Sequence, residues 1–317
     1  MAGPIGSLLL GLVAASSCAS LGCAEQDLSI GWQDIGDTGA GVGVDVGGDV
    51  GVDMSAGDVG VDMSAGDAGR FVLIWRDDFN TLDPGRWEVA VHTFEENYAD
   101  FSAANAVTEG GFLKLGVRTK PAGSTGKPYT AAEVRTWAQF SCGKFMVRAR
   151  VAPGAGVVST FFGFHDFFQN SSAQDWNEIV IESSAPSRID YVYTRENPSL
   201  PAGKDRVPLF GTVPFDATAE FHIYGFEWTP TEVRFLVDGA LEHSLSAEVA
   251  ADLILPKHMV MSAYPSTRLA PARSFDPSVL PTEAWYDWIE VYRYNGVCPN
   301  GTDGGVDAGG PSDASGP

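Results

Sequence analysis

Basic residues are missing from both ends of this chain. All 20 lysines and arginines of its 317 residues fall between Arg70 and Arg293, while the 41 acids run along the whole length, for a formal charge of −21. Ten acids lie in 24–69 and three in 299–317, so 28 remain beside the 20 bases and the central part carries only −8. There is no basic stripe, no RNP-like motif and no Cys/His finger, which excludes nucleic acid as an expected partner. Long apolar runs are lacking too: Leu8 to Ala15 is too short to span a bilayer. The five histidines show no H-E-x-x-H spacing, and no G-x-S-x-G elbow, P-loop or dinucleotide fingerprint occurs. No long amphipathic helix is evident; Ser246–Leu253 has room for about one turn.

The two ends read differently from the middle. Residues 1–23 are rich in Gly, Ala, Ser and Leu and lead into Cys18 and Cys23. They resemble a bacterial lipoprotein signal, with Ser20-Leu-Gly-Cys23 as the lipobox and Ala15-Ser-Ser-Cys18 as the alternative. Export follows as an expectation, either secreted or at the cell surface or outer membrane, with any membrane attachment made only through an N-terminal lipid. Residues 24–69 form an acidic Gly/Asp linker in which Gly51-Val-Asp-Met-Ser-Ala-Gly-Asp-Val recurs from Gly60. Its glycines do not keep the register of a calcium-binding nonapeptide roll, so a self-repelling, disordered spacer is expected. The tail 299–317 has the same composition. Cys142 and Cys298 remain for the folded part, 70–298; in an exported protein they could pair, or they could be two separate buried thiols.

Between the ends, period-two alternation dominates. Leu113, Leu115 and Val117 alternate with polar residues, as do Phe145, Val147, Ala149 and Val151. Val233, Phe235 and Val237 run into Asp238-Gly239, and Leu241, His243 and Leu245 follow, which predicts a hairpin. Tyr286–Tyr294 reads as a last strand rich in aromatic and β-branched residues. Many short strands separated by turns predict an all-β, two-sheet antiparallel sandwich, with a monomer expected.

The most informative residues are Glu178-Ile-Val-Ile-Glu182. As a strand, they put 178, 180 and 182 on one face and Ile179 and Ile181 on the other, toward a core. The two Glu Cα atoms then lie roughly 13 Å apart at about 3.3 Å per residue. Side chains leaning together could close this to about 5–6 Å, the carboxylate separation of a retaining glycosidase. Alone, such a pattern is more often a solvated face.

Further motifs change that balance. Trp75-Arg-Asp-Asp-Phe79, Leu82-Asp83 and Trp87 are followed in order by Gly111-Phe-Leu-Lys-Leu115 and Gly143-Lys-Phe-Met-Val-Arg-Ala-Arg150. Phe221-His-Ile-Tyr-Gly-Phe-Glu-Trp228, Val237-Asp238-Gly239 and Tyr286-Asp-Trp-Ile-Glu-Val-Tyr292 complete the set. The series, over residues 71–295, resembles family 16 glycoside hydrolases. Ala132-Glu-Val-Arg135, Val157-Val-Ser-Thr-Phe-Phe162 and Trp176-Asn-Glu178 are most similar to the bacterial lichenases, endo-β-1,3-1,4-glucanases.

That resemblance implies a concanavalin A-like β-jelly roll whose concave sheet binds a glycan. It makes Glu178 the nucleophile and Glu182 the general acid/base of a retaining double displacement. It places Trp176, Glu133, Arg135, Phe162, Phe164 and Tyr264 along the groove, against a bland reading of core packing for the aromatics. Asp287 matches a residue that helps hold a structural calcium; the chemistry itself implies no cofactor. One departure stands out: the middle position of the motif, Asp in the family, is Val180, which implies reduced turnover. Ser262 and Val192 stand where lichenases carry Asn, which implies a shifted substrate preference. Rival readings are a glycan-binding module with a degenerate site, the same fold acting on a galactan, and a transglycosylase. His222 is expected to be a hydrogen-bonded structural histidine.

Overall fold

Among the described residues, apolar–polar alternation from Phe71 to Tyr294 is expressed as sixteen strands, with one short α-helix and two short 3-10 turns. The computed structural model describes residues 69–165, 177–196, 204–268 and 274–298. The chain divides into two units, 1–57 and 58–317, and the first lies wholly outside the described residues, as do the signal segment, nearly all of the acidic linker and the tail.

In chain order the first strands are β1 (Phe71–Asp77), β2 (Trp87–Val89), β3 (Ala99–Phe101), β4 (Ala106–Glu109), β5 (Phe112–Thr119) and β6 (Tyr129–Phe140). There follow β7 (Gly143–Arg150), β8 (Val157–Phe164), β9 (Glu178–Ala185), β10 (Arg188–Glu196) and β11 (Lys204–Thr212). The series closes with β12 (His222–Thr229), β13 (Glu232–Val237), β14 (Ala240–Leu245), β15 (Lys257–Pro265) and β16 (Thr282–Tyr294).

Two layers emerge. One has the order β11-β10-β9-β8-β15-β6, each pair antiparallel, with β2 added antiparallel and β3 parallel against β6. The other runs β5-β16-β7-β12-β13-β14, with β1 on β16 and β4 on β5. Among the described residues the strand pairing that links them is Arg118↔Thr130 and Thr119↔Tyr129. This is the expected antiparallel β-jelly-roll sandwich. Alternate residues of both layers meet between them: Phe145 packs on Phe226 at 5.3 Å and Phe226 on Phe161 at 5.7 Å, all three buried. Each such side chain contributes about 1.5–3 kcal/mol on leaving water.

Local rules hold where the sequence is explicit. Asp238 and Gly239 both take positive φ, 48° and 81°, in the two-residue turn between β13 and β14, as a type I′ hairpin requires. The single α-helix among the described residues, α1 (Ala247–Asp252), is one short turn whose start is capped by Ser246. Cys142, in the β6–β7 turn, is joined to Cys298, just past β16, by a disulfide with Cα atoms 5.7 Å apart. The pairing left open by the sequence is therefore made.

Candidate active site

The site begins with the pleat of β9. Ile179 and Ile181 point into the core, which holds Glu178, Val180 and Glu182 on the opposite face. Antiparallel register then extends each of the three into a rung across neighbouring strands. Glu182 lies level with Asp190 on β10 and Thr160 on β8, and beyond Thr160 come Ser262 on β15 and Glu133 on β6. Val180 lies level with Val192 and Phe162, followed by Val260 and Arg135. Glu178 lies level with Thr194 and Phe164, followed by His258. A polar rung and a mixed rung thus flank a middle one that is apolar from Val192 to Val260.

These rungs floor a groove of about 320 Å³. Glu178 accepts a 2.8 Å hydrogen bond on Oε2 from the hydroxyl of Thr194. Glu182 meets Arg206 of β11, whose Nη2 is 3.4 Å from Oε1. Burial raises the proton affinity of Glu182; the Arg206 cation opposes this, and the charges of Asp190 and Glu178 add to it. Thr160 and Ser262 share a 2.7 Å hydroxyl–hydroxyl hydrogen bond. A carboxyl that tends to keep its proton, on one strand face with a second carboxylate held by a hydroxyl, suits proton donation beside nucleophilic attack.

Underneath Glu178 the support is a buried lysine. Lys257, with no exposed surface, donates through Nζ to Asn177 Oδ1, to Leu255 O at 2.8 Å and to Leu253 O at 3.1 Å. Its Nζ lies 3.9 Å from the centre of the Trp228 ring. Burial pushes its pKa well below the ordinary lysine value, with the Glu178 charge opposing. Gly163 makes room for this lysine: a Cβ there would lie 3.2 Å from the Lys257 stem. Asn177 also donates to Asp252 O at 2.7 Å, so the residue preceding Glu178 is tied to the end of α1.

The residues singled out in the sequence mostly converge. Glu133, Arg135, Phe162, Phe164, Glu178, Glu182 and Tyr264 all line the groove. Arg135 is engaged by Glu88 through two contacts, 2.5 and 3.0 Å. Glu133 is buried and bonds His92 Nε2 at 3.0 Å. Trp176 lies outside the described residues. Asp287 is away from the groove, on the other layer, and its Oδ2 accepts from Arg148 Nη1. Among the described residues no group of three or more His, Cys, Asp or Glu is placed to hold a metal. His222 bonds Asp238 Oδ2 at 2.7 Å and stacks on Phe215 at 3.5 Å, as befits a structural histidine.

Several lining residues escaped sequence reasoning. Thr194, and Asp190 buried beside the groove, were legible as alternate positions of a strand, but their partners on β9 depend on register. Arg206 gave no local signal at all. His92 and Phe94 sit in the segment between β2 and β3, where Phe94 packs edge-on against Tyr264 at 5.2 Å to build a wall. Glu96 and Arg268 form an ion pair at the rim.

An antiparallel jelly roll with two carboxylates on the floor of an aromatic-walled groove defines a carbohydrate-active class of protein. Residues 94–289 match glycosyl hydrolases family 16, and the chain belongs to that family. It is a glycoside hydrolase. It is 27% identical over 252 residues to a beta-glucanase of Rhodothermus marinus, covering 70% of this chain and 85% of that one. It is 28% identical over 181 residues to a beta-glucanase of Fibrobacter succinogenes, covering 57% of this chain and spanning about half, 51%, of that relative. Among solved structures, the laminarinase from Rhodothermus marinus superposes with a TM-score of 0.61 at 25% identity, over 71% of this chain and 98% of that one. A beta-1,3-1,4-glucanase (lichenase) derived from a mouse hindgut metagenome gives 0.59 at 25% identity, over 68% and 97%.

Proposed function

We propose that the protein is an exported endo-glycosidase that hydrolyses β-glucan at β-1,3-1,4 or β-1,3 linkages with retention of anomeric configuration. The glucan assignment draws on the beta-glucanase relatives and on the lichenase and laminarinase neighbours. The observation that carries the mechanism is the shared face of β9, where Glu178 and Glu182 stand on one groove floor with different partners. Glu178 attacks the anomeric carbon, forming a glycosyl ester as the glycosidic C–O bond breaks, and Glu182 gives its proton to the departing oxygen. Glu182, now a carboxylate, takes a proton from water, whose oxygen attacks the same carbon and releases Glu178. Thr194 holds the nucleophile, and burial favours the protonated form of the acid. Val180, flanked by Val192 and Phe162, leaves the middle of the site without a polar group and lowers turnover.

Export is supported by the lipoprotein-like start and by the Cys142–Cys298 disulfide, since such bonds persist in oxidising compartments. The deciding experiment is a reducing-sugar assay on lichenan, laminarin, agarose and carrageenan, with the anomer of the first product followed by NMR. Glu178→Gln and Glu182→Gln should each remove nearly all turnover. Parental rates in either variant, or an inverted product, would overturn the mechanism, and cleavage of agarose or carrageenan alone would overturn the glucan assignment.

A further inference from the structure

Between Glu178 and Glu182, β9 itself offers no polar group. Val180 is 7% exposed and its neighbours on both adjacent strands are apolar. Beyond burial and the charge of Glu178, the groups that act on the Glu182 proton therefore come from other strands. On β8 the facing residue is Thr160, whose hydroxyl is bonded to Ser262. On β10 it is Asp190, directly opposite Glu182 in an antiparallel pair, where Cβ atoms stand about 4.5–5.5 Å apart and point to the same face. Asp190 is buried, and Arg188, two residues earlier on the same strand, pairs with it through Nε at 2.6 Å from Oδ1. On β11 Arg206 reaches across to Glu182 Oε1 at 3.4 Å.

We propose that Asp190 is the positioning carboxylate that keeps the proton on Glu182, with Arg206 as the opposing cation. The role rests on the reading of Glu182 as the general acid. A fixed negative charge beside a buried carboxyl disfavours its ionisation, and a cation favours it. The Arg188 anchor matters because Asp190 could otherwise turn away from its like-charged neighbour. Among the described residues the other ionisable groups around this end of the groove are Glu178 on the same strand, Arg188 on Asp190, Glu133 and Arg135 of β6, His92, Arg268, and Tyr264 on β15, whose hydroxyl ionisation is suppressed by burial and by the Glu182 charge. The polar balance that the family pattern would place within β9 is thus assembled here across β9, β10 and β11.

The test uses the full chain and two readouts. The first is the pH dependence of kcat/KM on the best glucan, whose basic limb reports loss of the proton from the general acid. The second is titration of the Glu182 carboxyl carbon by 13C NMR, assigned by its absence in Glu182→Gln. Asp190→Asn should move the basic limb and the resonance midpoint down by about one pH unit, and Arg206→Gln should move both up. Should Asp190→Asn fold poorly because Arg188 loses its anion, the double variant with Arg188→Gln carries an expectation of the same sign and smaller size, because a cation is removed with the anion. Unchanged midpoints for Asp190→Asn, or shifts of the same sign in both variants, would overturn the proposal. If Glu182→Gln keeps parental turnover, the acid assignment itself fails. If that variant is inactive while Asp190→Asn leaves both midpoints in place, only the role of Asp190 falls.

Discussion

Thr194 Oγ1 and Glu178 Oε2 lie 2.8 Å apart across the β9–β10 ladder, a hydroxyl on one strand orienting a carboxylate on the next. The pair is a consequence of register: Thr194 is the cross-strand partner of Glu178, and both face the groove. Thr194→Val keeps the β-branched shape and removes the donor. A hydrogen bond to a charged group is worth about 1.5–3 kcal/mol, so kcat should fall roughly 10- to 100-fold with little change in thermal midpoint. Steady-state kinetics beside a melting curve checks this; an equal loss in stability with unchanged kcat would assign the bond to the fold alone.

Val180→Asp is the second test. The added carboxylate would face Val192, which has no exposed surface, and Phe162, so it gains no partner. Leaving such a group without a hydrogen bond costs about 1–3 kcal/mol. A third charge near Glu182 also raises its proton affinity, moving the basic limb upward. We expect lower stability and no gain in rate from the single variant, and partial recovery of both in Val180→Asp with Val192→Asn. Denaturant unfolding and a pH–rate profile of the two proteins decide it. A higher rate in the single variant would contradict this account.

Cys142 and Cys298 close a loop with a sequence separation of 156, tying the β6–β7 turn to the end of β16. Loops of that size lose about 2–5 kcal/mol of stabilisation on reduction. Unfolding in denaturant with and without reductant should show a drop of that order, matched by Cys142→Ser with Cys298→Ser. Coincident curves would show that the bond contributes nothing in solution.

The fourth test is a pH effect at the groove wall. Burial works against a charged His92, yet the hydrogen bond and charge of Glu133 outweigh it, and the His92 pKa is raised above 6.5, with Arg135 opposing. A raised folded pKa contributes stability that is fully present below about 6.5, the unfolded value, and lost as pH rises through the folded value. The parent should therefore lose stability over this window, and His92→Gln should remove that component of the slope. Urea midpoints measured from pH 5 to 9, with the His92 ring titration by NMR, provide the comparison.

How much of this was legible beforehand differs by element. The β13–β14 hairpin was written in Asp238-Gly239, because few dipeptides accept two positive φ values. The facing of Glu178, Val180 and Glu182 was written in their spacing. The wall formed by His92, Phe94 and Tyr264 was not, because Phe94 and Tyr264 are far apart in sequence and meet only through packing. Arg206 stood in a strand with no distinguishing pattern, and its reach to Glu182 depends on two successive registers, β11 on β10 and β10 on β9.

By itself, the sequence determined which residues of each strand face the groove and which face the core, since side chains alternate with a period of two whatever the neighbours. It also determined the family, through motifs that keep their order along the chain. Tertiary structure alone decided which strands are neighbours and in what register. That choice brought Asp190 beside Glu182, Thr194 beside Glu178, Lys257 beneath Asn177, and Cys142 to Cys298. The physical reason is that alternation repeats every two residues and is blind to partner and offset. Only the joint packing of Phe145, Phe226, Ile179 and their companions between the layers selects one pairing from many, because a slip by one residue would turn every buried side chain outward.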